Sequence, residues 1–294
     1  MTIQLIAIYM VKNDERRDIM SIIVSAEELY QKVNNHNVRI IDVRTKDKEF
    51  ETGEAAYVHS HLPGAYFLDF KKDLSGENSF LPEARELAQK LGKMGIEQDS
   101  EVILYDQGNH RSASKAWLVL YYLGHDNVCI LDGGFTAWLE AGYKVTSEQP
   151  KNESTTYNVQ LRGEVVVDME MVKNRVEQKQ NSTLIDSRAY ERYIGKVEPK
   201  YKKTGHIPGA KNYHSKLVFN ENGNWKKPEE LKQHFSKLDP NEEIIVSCGS
   251  GNSACMNLVA LKNAGFKNIK IYPGGFGEWI EHEENEVEQG IEEQ

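Results

Sequence analysis

The sequence repeats itself, and this internal repeat constrains the fold more than any other feature of the chain. Four short motifs of the first half recur in the same order in the second half, about 141 to 145 positions later. The four pairs are residues 40–44 and 184–188, 61–65 and 206–210, 102–105 and 244–247, and 132–138 and 273–279. Self-similarity at a fixed period is the mark of a duplicated structural unit. The 294-residue chain is therefore predicted to form two related domains, each large enough to bury its own core.

Within each half, short aliphatic runs alternate with segments of helical spacing. Residues 38–43, 102–105 and 128–131 are apolar without alternation, as expected for strands buried on both faces of a parallel sheet. Ser25 followed by Glu28 has the pattern of a capping box at the start of a helix. This alternation predicts an α/β fold in which each domain is a mainly parallel sheet flanked by helices.

The domain boundaries follow from changes in composition. We place the first domain at residues 21–142 and the second at 165–284, with a polar linker that lacks apolar periodicity at 143–164. Residues 1–20 are interpreted as an N-terminal extension, because they lack the basic start and the small-residue cleavage site of an export signal. Residues 285–294 belong to an acidic tail that we expect to be solvated.

Composition limits the partners and the compartment of the protein. A net charge of −9 gives no general attraction to phosphate backbones or acidic lipids, so neither nucleic acid nor a membrane is expected as a partner. The three cysteines, Cys129, Cys248 and Cys255, form neither a disulfide framework nor a metal-binding pattern, which fits a reducing compartment. We therefore expect a cytoplasmic protein.

One cysteine stands at the start of a glycine-containing loop. Residues 244–247 have the pattern of a buried strand, residues 248–253 read Cys-Gly-Ser-Gly-Asn-Ser, and residues 254–264 have helical spacing. Backbone N–H groups of such a loop can converge on one point, where the following helix adds the partial positive charge of its N-terminus. This environment favours a thiolate, which makes Cys248 a candidate nucleophile. The alternative is that Cys248 is a small buried hydrophobic residue, the commoner role of a lone cysteine.

The first half keeps the strand but not the cysteine. There residues 106–112 read Asp-Gln-Gly-Asn-His-Arg-Ser, and alignment of the halves puts Gln107 in the place of Cys248. Glutamine has no sulfur nucleophile. The first domain is therefore predicted to be non-catalytic.

In combination, the two Asp-x-Arg strands, the two His-Leu/Ile-Pro-Gly-Ala turns, the cysteine loop and the two Gly-Gly-Phe…Trp segments resemble the tandem-domain rhodanese family of sulfurtransferases from about Ser21 onwards. The resemblance implies that the thiolate takes sulfur from 3-mercaptopyruvate or thiosulfate, holds it as a persulfide, and passes it to cyanide, a thiol or a thioredoxin-like reductant. Loop amides could stabilise the persulfide anion, so we predict neither a metal nor an organic cofactor.

Further site residues are implied by the mercaptopyruvate branch of this family. Arg192 is at the position of an arginine that binds the donor carboxylate, and Lys200 stands where a second arginine would be. Ser250 and His61 are at the positions of a proposed proton relay, although His61 could instead be a turn histidine bonded to the backbone. The other loop residues expected to bind substrate are Gly249, Gly251, Asn252 and Ser253. Because the loop has no cation, mercaptopyruvate is slightly favoured over the doubly charged thiosulfate.

Other function classes stay open at this point. A cysteine phosphatase also uses a thiolate at a strand-to-helix loop, but it needs an arginine at the sixth position after the cysteine, where this chain has Ala254. A non-catalytic carrier would use Cys248 only to relay sulfur to a protein. Cys255 could have a redox role, whereas Cys129 is expected in the core and Arg188 in a structural ion pair.

Overall fold

The computed structural model describes residues 21–76, 80–151, 153–178 and 182–290. The predicted N-terminal extension, residues 1–20, and the last four residues of the acidic tail lie outside these ranges. The strands are β1 (Ile23–Val24), β2 (Val38–Asp42), β3 (Ala65–Phe67), β4 (Glu101–Tyr105), β5 (Val128–Leu131), β6 (Ser182–Asp186), β7 (Ala210–Asn212), β8 (Glu243–Ser247) and β9 (Ile269–Ile271). They form one sheet in the order β1-β5-β4-β2-β3 and a second in the order β7-β6-β8-β9. Every strand pair named here is parallel, which confirms the predicted fold class.

Ten α-helices connect the strands in the described ranges. They are α1 (Ala26–Lys32), α2 (Gly53–His59), α3 (Ala84–Lys93), α4 (Arg111–Tyr122), α5 (Gly134–Glu140), α6 (Met169–Gln178), α7 (Tyr190–Tyr193), α8 (Pro228–His234), α9 (Ala254–Asn263) and α10 (Gly275–Trp279). Short 3-10 helices lie at Gly163–Val165 and Ser215–Val218. The predicted capping box is present, because the Ser25 hydroxyl accepts from the Glu28 N–H over 3.2 Å and the Glu28 carboxylate accepts from the Ser25 N–H over 2.7 Å. Among these helices, none combines the length and the apolar character needed to cross a bilayer.

The described part of the acidic tail contacts the second domain, while the side chains of Glu286 and Glu288 stay exposed to solvent. Glu288 forms an antiparallel bridge with His206, and the Trp279 indole N–H donates to the Glu286 carbonyl over 2.8 Å. Asn285 is buried and donates to the carbonyl of Trp279 over 2.9 Å. Backbone groups make most of these contacts, and therefore the acidic composition did not reveal them.

The segment predicted to be a linker likewise lies against the first domain. The Thr155 N–H donates to the Gly92 carbonyl over 2.8 Å, and the Gln160 N–H donates to the Leu123 carbonyl over 3.0 Å. Tyr157 is buried. The connection between the domains is therefore held along α3 and the end of α4 by backbone hydrogen bonds.

The two domains share one hydrophobic cluster, in which α4 of the first packs against α9 of the second. Lys115 of α4 is fully buried in this interface, where its Nζ donates to the Phe80 carbonyl. Burial lowers the pKa of Lys115 to about 7, because the charged ammonium is poorly solvated there. A buried lysine with a lowered pKa therefore predicts that the stability of the protein depends on pH.

We expect Lys115→Met to remove a pH dependence of stability. Between the folded pKa of about 7 and the unfolded value of 10.5, the unfolded chain binds more protons than the folded one at this site. The contribution of Lys115 to the free energy of unfolding therefore rises with pH in this window, by about 1 kcal/mol per pH unit. Urea unfolding of both proteins at pH 7 and pH 9 should show a rise in the wild type that exceeds that of the variant by roughly 2 kcal/mol. Parallel pH profiles would contradict the prediction.

Candidate active site

Cys248 follows directly after β8, at the carboxyl end of the second sheet. The start of its loop is held by α10, where the Phe276 N–H donates to the Cys248 carbonyl over 2.8 Å and the Gly277 N–H donates to the Gly249 carbonyl over 3.0 Å. This approach requires a glycine at position 275, because a Cβ there would lie 2.4 Å from the Cys248 oxygen. The repeated Gly-Gly-Phe motif thus anchors the cysteine loop.

The loop has backbone N–H groups that are free to bind a ligand. In a trans peptide the C=O and N–H groups point in opposite directions, so the N–H groups of Gly249 and Ser250 face away from α10. Neither of them donates to an acceptor within the described ranges. Gly251 turns the chain in the left-handed conformation, with φ of 76°. The first turn of α9 then adds the N–H of Ala254, which has no intrahelical acceptor.

The residue of the first domain that corresponds to Cys248 is not the one that the sequence predicted. The Phe135 N–H donates to the Asp106 carbonyl over 2.8 Å, the same contact that Phe276 makes with Cys248. Asp106, and not Gln107, therefore occupies the place of Cys248, and the prediction was wrong by one position. Asp106 has no sulfur either, so the expectation of a non-catalytic first domain stands on the same argument.

The Asp106 carboxylate illustrates what this type of loop can hold. It accepts hydrogen bonds from the backbone N–H groups of Gly108 over 2.8 Å, His110 over 3.1 Å and Ala113 over 3.2 Å. The Ser112 hydroxyl also donates to it over 3.2 Å. In this fold the amides after the strand can thus converge on an anionic group at the first loop position.

Cys248 lines a cleft of about 690 Å³ between the domains. Cys248 is 3% exposed, so its sulfur is shielded from bulk water but borders the cavity. Residues 108–111 of the first domain form part of the wall, and loops of the second domain form the rest. The cleft brings together five predicted site residues with the cysteine, namely Gly249, Ser250, Ser253, Arg192 and Lys200.

Gly251 and Asn252 lie in the loop without lining the cleft. A Cβ on Gly251 would lie 2.5 Å from the Phe80 ring of the first domain, so this glycine allows the domains to pack closely. The Asn252 N–H donates to the Ser250 carbonyl over 3.0 Å. These two residues shape the loop, and their contact with substrate stays a prediction.

His61 does not reach the cleft, which corrects its expected role in a relay. Its ring is fully buried in the first domain, with Nδ1 2.7 Å from the Tyr57 carbonyl oxygen and Nε2 3.1 Å from that of Glu148. His206 makes the corresponding Nδ1 contact with the Tyr193 carbonyl over 2.8 Å. The histidine of the repeated turn therefore holds the backbone in both domains, as the alternative interpretation anticipated.

Arg192 lines the cleft, but a buried carboxylate occupies half of its guanidinium. Arg192 Nη2 lies 2.7 Å from Glu198 Oε1 and its Nε lies 3.1 Å from Oε2. The same Glu198, whose side chain is 0% exposed, also lies 3.3 Å from Arg188 Nη1. Arg188 in turn pairs with Asp186 over 2.5 Å, which confirms its predicted ion pair. The sequence did not single out Glu198, because its pairing with Arg188 and Arg192 depends on how the chain folds between positions 188 and 198.

Tyr201 is a further cleft residue that the sequence did not single out. The Tyr201 hydroxyl donates to the Gly249 carbonyl over 2.7 Å. A Cβ on Gly249 would lie 2.9 Å from the hydroxyl oxygen of Tyr201, so a glycine is needed there. Burial raises the pKa of Tyr201, and the nearby Cys248 raises it further. Tyr201 thus keeps its proton and orients the peptide that carries the Ser250 N–H.

The other two cysteines are buried thiols. Cys255 is fully buried in α9, with its sulfur 3.5 Å from the Gly251 carbonyl oxygen, and burial raises its pKa to about 12. Cys129 lies in the core as predicted, and burial likewise raises its pKa to about 12. Near neutral pH neither thiol is ionised, so neither competes with Cys248 as a nucleophile.

Comparison with known proteins found relatives that match most of the chain. The model of the rhodanese-like domain matches residues 25–141 and 168–282. A probable 3-mercaptopyruvate sulfurtransferase of Pseudomonas aeruginosa is 35% identical, over 88% of this chain and 94% of the relative. The thiosulfate sulfurtransferase of Bos taurus is 32% identical, over 83% and 85%. The solved structure of SseA from Escherichia coli, a 3-mercaptopyruvate sulfotransferase, matches with a TM-score of 0.75 at 30% identity, over 87% of this chain and 99% of the other.

Proposed function

Because the chain belongs to the tandem-domain rhodanese family of sulfurtransferases, we propose that it transfers a sulfane sulfur through a persulfide on Cys248. The proposed donors are 3-mercaptopyruvate and thiosulfate, after which two of the relatives are named. The proposed acceptors are cyanide, a thiol or a thioredoxin-like reductant. The observation that most supports the site is that Cys248 lines the cleft beside loop N–H groups that have no acceptor among the described residues.

The reaction has two sulfur-transfer steps. In the first, the Cys248 thiolate attacks the donor sulfur and forms an S–S bond, while the donor S–C bond of mercaptopyruvate or the S–S bond of thiosulfate breaks. Thiosulfate leaves as sulfite. Mercaptopyruvate leaves as the enolate of pyruvate, and this enolate takes up the proton that the thiol of mercaptopyruvate releases. In the second, the acceptor attacks the outer sulfur and regenerates the thiolate. The steps balance without an external electron donor.

The loop would stabilise the negative charge of the persulfide. The Asp106 carboxylate accepts three backbone N–H groups in the equivalent loop, which supports the same role for the amides around Cys248. The Ser250 hydroxyl would donate a hydrogen bond to the bound donor or to the persulfide. Arg192 would orient the donor carboxylate through Nη1, which has no acceptor within the described residues, and Lys200 would add a second positive charge.

We favour mercaptopyruvate slightly as the donor. The loop itself has no cation and Glu198 compensates the charge of Arg192, so the uncompensated cations of the cleft all lie outside the cysteine loop. A single carboxylate needs less compensation than the doubly charged thiosulfate.

Mass spectrometry of the loaded protein tests the proposal. The reduced protein is incubated separately with mercaptopyruvate and with thiosulfate, desalted and weighed, and a gain of one sulfur, about 32 Da, is expected. Mercaptopyruvate should load the protein at the lower concentration, and Cys248→Ser should gain no mass. Absence of loading with both donors would contradict the mechanism, and equal loading would contradict the donor preference. A loaded protein without turnover on cyanide or small thiols would favour a non-catalytic carrier.

A further inference from the structure

The charges that line the cleft fall into two groups. In the first group, Arg188 and Arg192 are compensated by the carboxylates of Asp186 and Glu198. This network is therefore close to neutral. It leaves little net attraction for an anion, although both guanidinium groups border the cavity.

In the second group, three cations line the cleft without a carboxylate partner in the described part of the chain. They are Arg111, Lys200 and Lys216. Glu221 is the one carboxylate among the residues that form the wall. The cleft therefore carries a net positive charge, and this charge comes from side chains outside the cysteine loop.

Arg111 differs from the other two cations because it comes from the domain without the cysteine. It is the first residue of α4 and directly follows the loop of Asp106, the carboxylate that already occupies the amides of that loop. Its side chain is exposed. The guanidinium therefore has no carboxylate partner among the described residues, and it lines the same cleft as Cys248 from the opposite domain.

The geometry of sulfur transfer favours a cation away from the cysteine loop. The donor sulfur must contact Cys248, so the carboxylate or sulfonate end of a small donor projects away from that sulfur into the cavity. The first domain contributes part of the cavity wall, and Arg111 is one of these wall residues. A guanidinium matches the paired oxygens of either anion better than an ammonium does.

We propose that Arg111 binds the anionic end of the sulfur donor, so that the domain without the cysteine supplies a specificity-determining residue of the active site. This inference rests on the proposed function. It assigns Arg111 to donor binding rather than to the chemical step, because the guanidinium contacts the end of the donor that does not react.

The test measures persulfide formation in single turnovers, without acceptor, against the concentration of each donor. Arg111→Ala should raise the half-saturating donor concentration about tenfold, with the maximal loading rate within about twofold of the wild type. Arg111→Lys should restore part of the affinity. Glu221→Gln, which removes the cleft carboxylate, should change the half-saturating concentration in the opposite direction.

Arg85→Ala is the matched control, because it removes one exposed positive charge from α3, outside this cleft. It should load like the wild type. An unchanged half-saturating concentration in Arg111→Ala would overturn the inference, and so would a fall in both loading rate and thermal stability, which would indicate a structural role. If the wild type itself forms no persulfide, the proposed function fails first.

Discussion

Serine in place of Cys248 is expected to abolish sulfur transfer from either donor to cyanide. A serine hydroxyl is not ionised near neutral pH and cannot hold a sulfane sulfur, so the covalent intermediate is lost. We expect kcat/KM to fall at least about 10⁴-fold, the scale seen when a covalent nucleophile is removed. Thiocyanate formation measures the rate. The side chains differ by one atom, so the unfolding midpoint should change little.

The matched controls are the two buried cysteines. Cys129→Ala and Cys255→Ala each remove a thiol from the core, and both variants should keep turnover within about threefold if they remain folded. Full activity in Cys248→Ser would exclude a persulfide at this residue. A comparable loss in a folded Cys255→Ala would show that the second thiol takes part in the transfer, against its complete burial.

Glutamine in place of Glu198 is expected to destabilise the second domain strongly. The Glu198 carboxylate is fully buried and pairs with Arg188 and Arg192, so a neutral amide leaves two guanidinium groups with too little compensation. Breaking one partner of a buried ion network costs about 3 kcal/mol, and we expect a loss of this size in the free energy of unfolding. Urea denaturation at pH 7 measures it.

The control for this variant is Glu191→Gln, which neutralises an exposed glutamate in the neighbouring helix α7. Its free energy of unfolding should stay within about 0.5 kcal/mol of the wild type. A Glu198→Gln protein as stable as the control would mean that water or rearranged side chains compensate the two arginines. The buried network would then not fix the orientation of Arg192.

Most of the fold could be predicted because its signals are local. The Ser25–Glu28 capping box, the continuous apolar strands and the helix after Cys248 depend on residues that are close together along the chain, and the structure has them where they were expected. The contacts of the acidic tail were not predicted, because part of them use backbone groups, which exist in every sequence. Composition reports side chains only.

The candidate site was predicted less completely, since it depends on contacts between distant segments. The separation of the repeats is 142 at the strands 102–105 and 244–247 but 141 at the Gly-Gly-Phe motifs, and the second value places Gln107 where the structure has Asp106. His61 matched a family position, yet the fold buries its ring against Tyr57 and Glu148.

The sequence by itself determined the duplication, the parallel α/β class, the family and the one loop in which a cysteine can act. These features need only periodicity, turn residues and motif order, which neighbouring residues specify. The tertiary structure alone decided which charges are compensated and which are free, because the fold of the second domain brings Glu198 to Arg188 and Arg192, and the packing of the two domains brings Arg111 to the cleft of Cys248. Such pairings arise from three-dimensional proximity, which no local pattern of residues encodes.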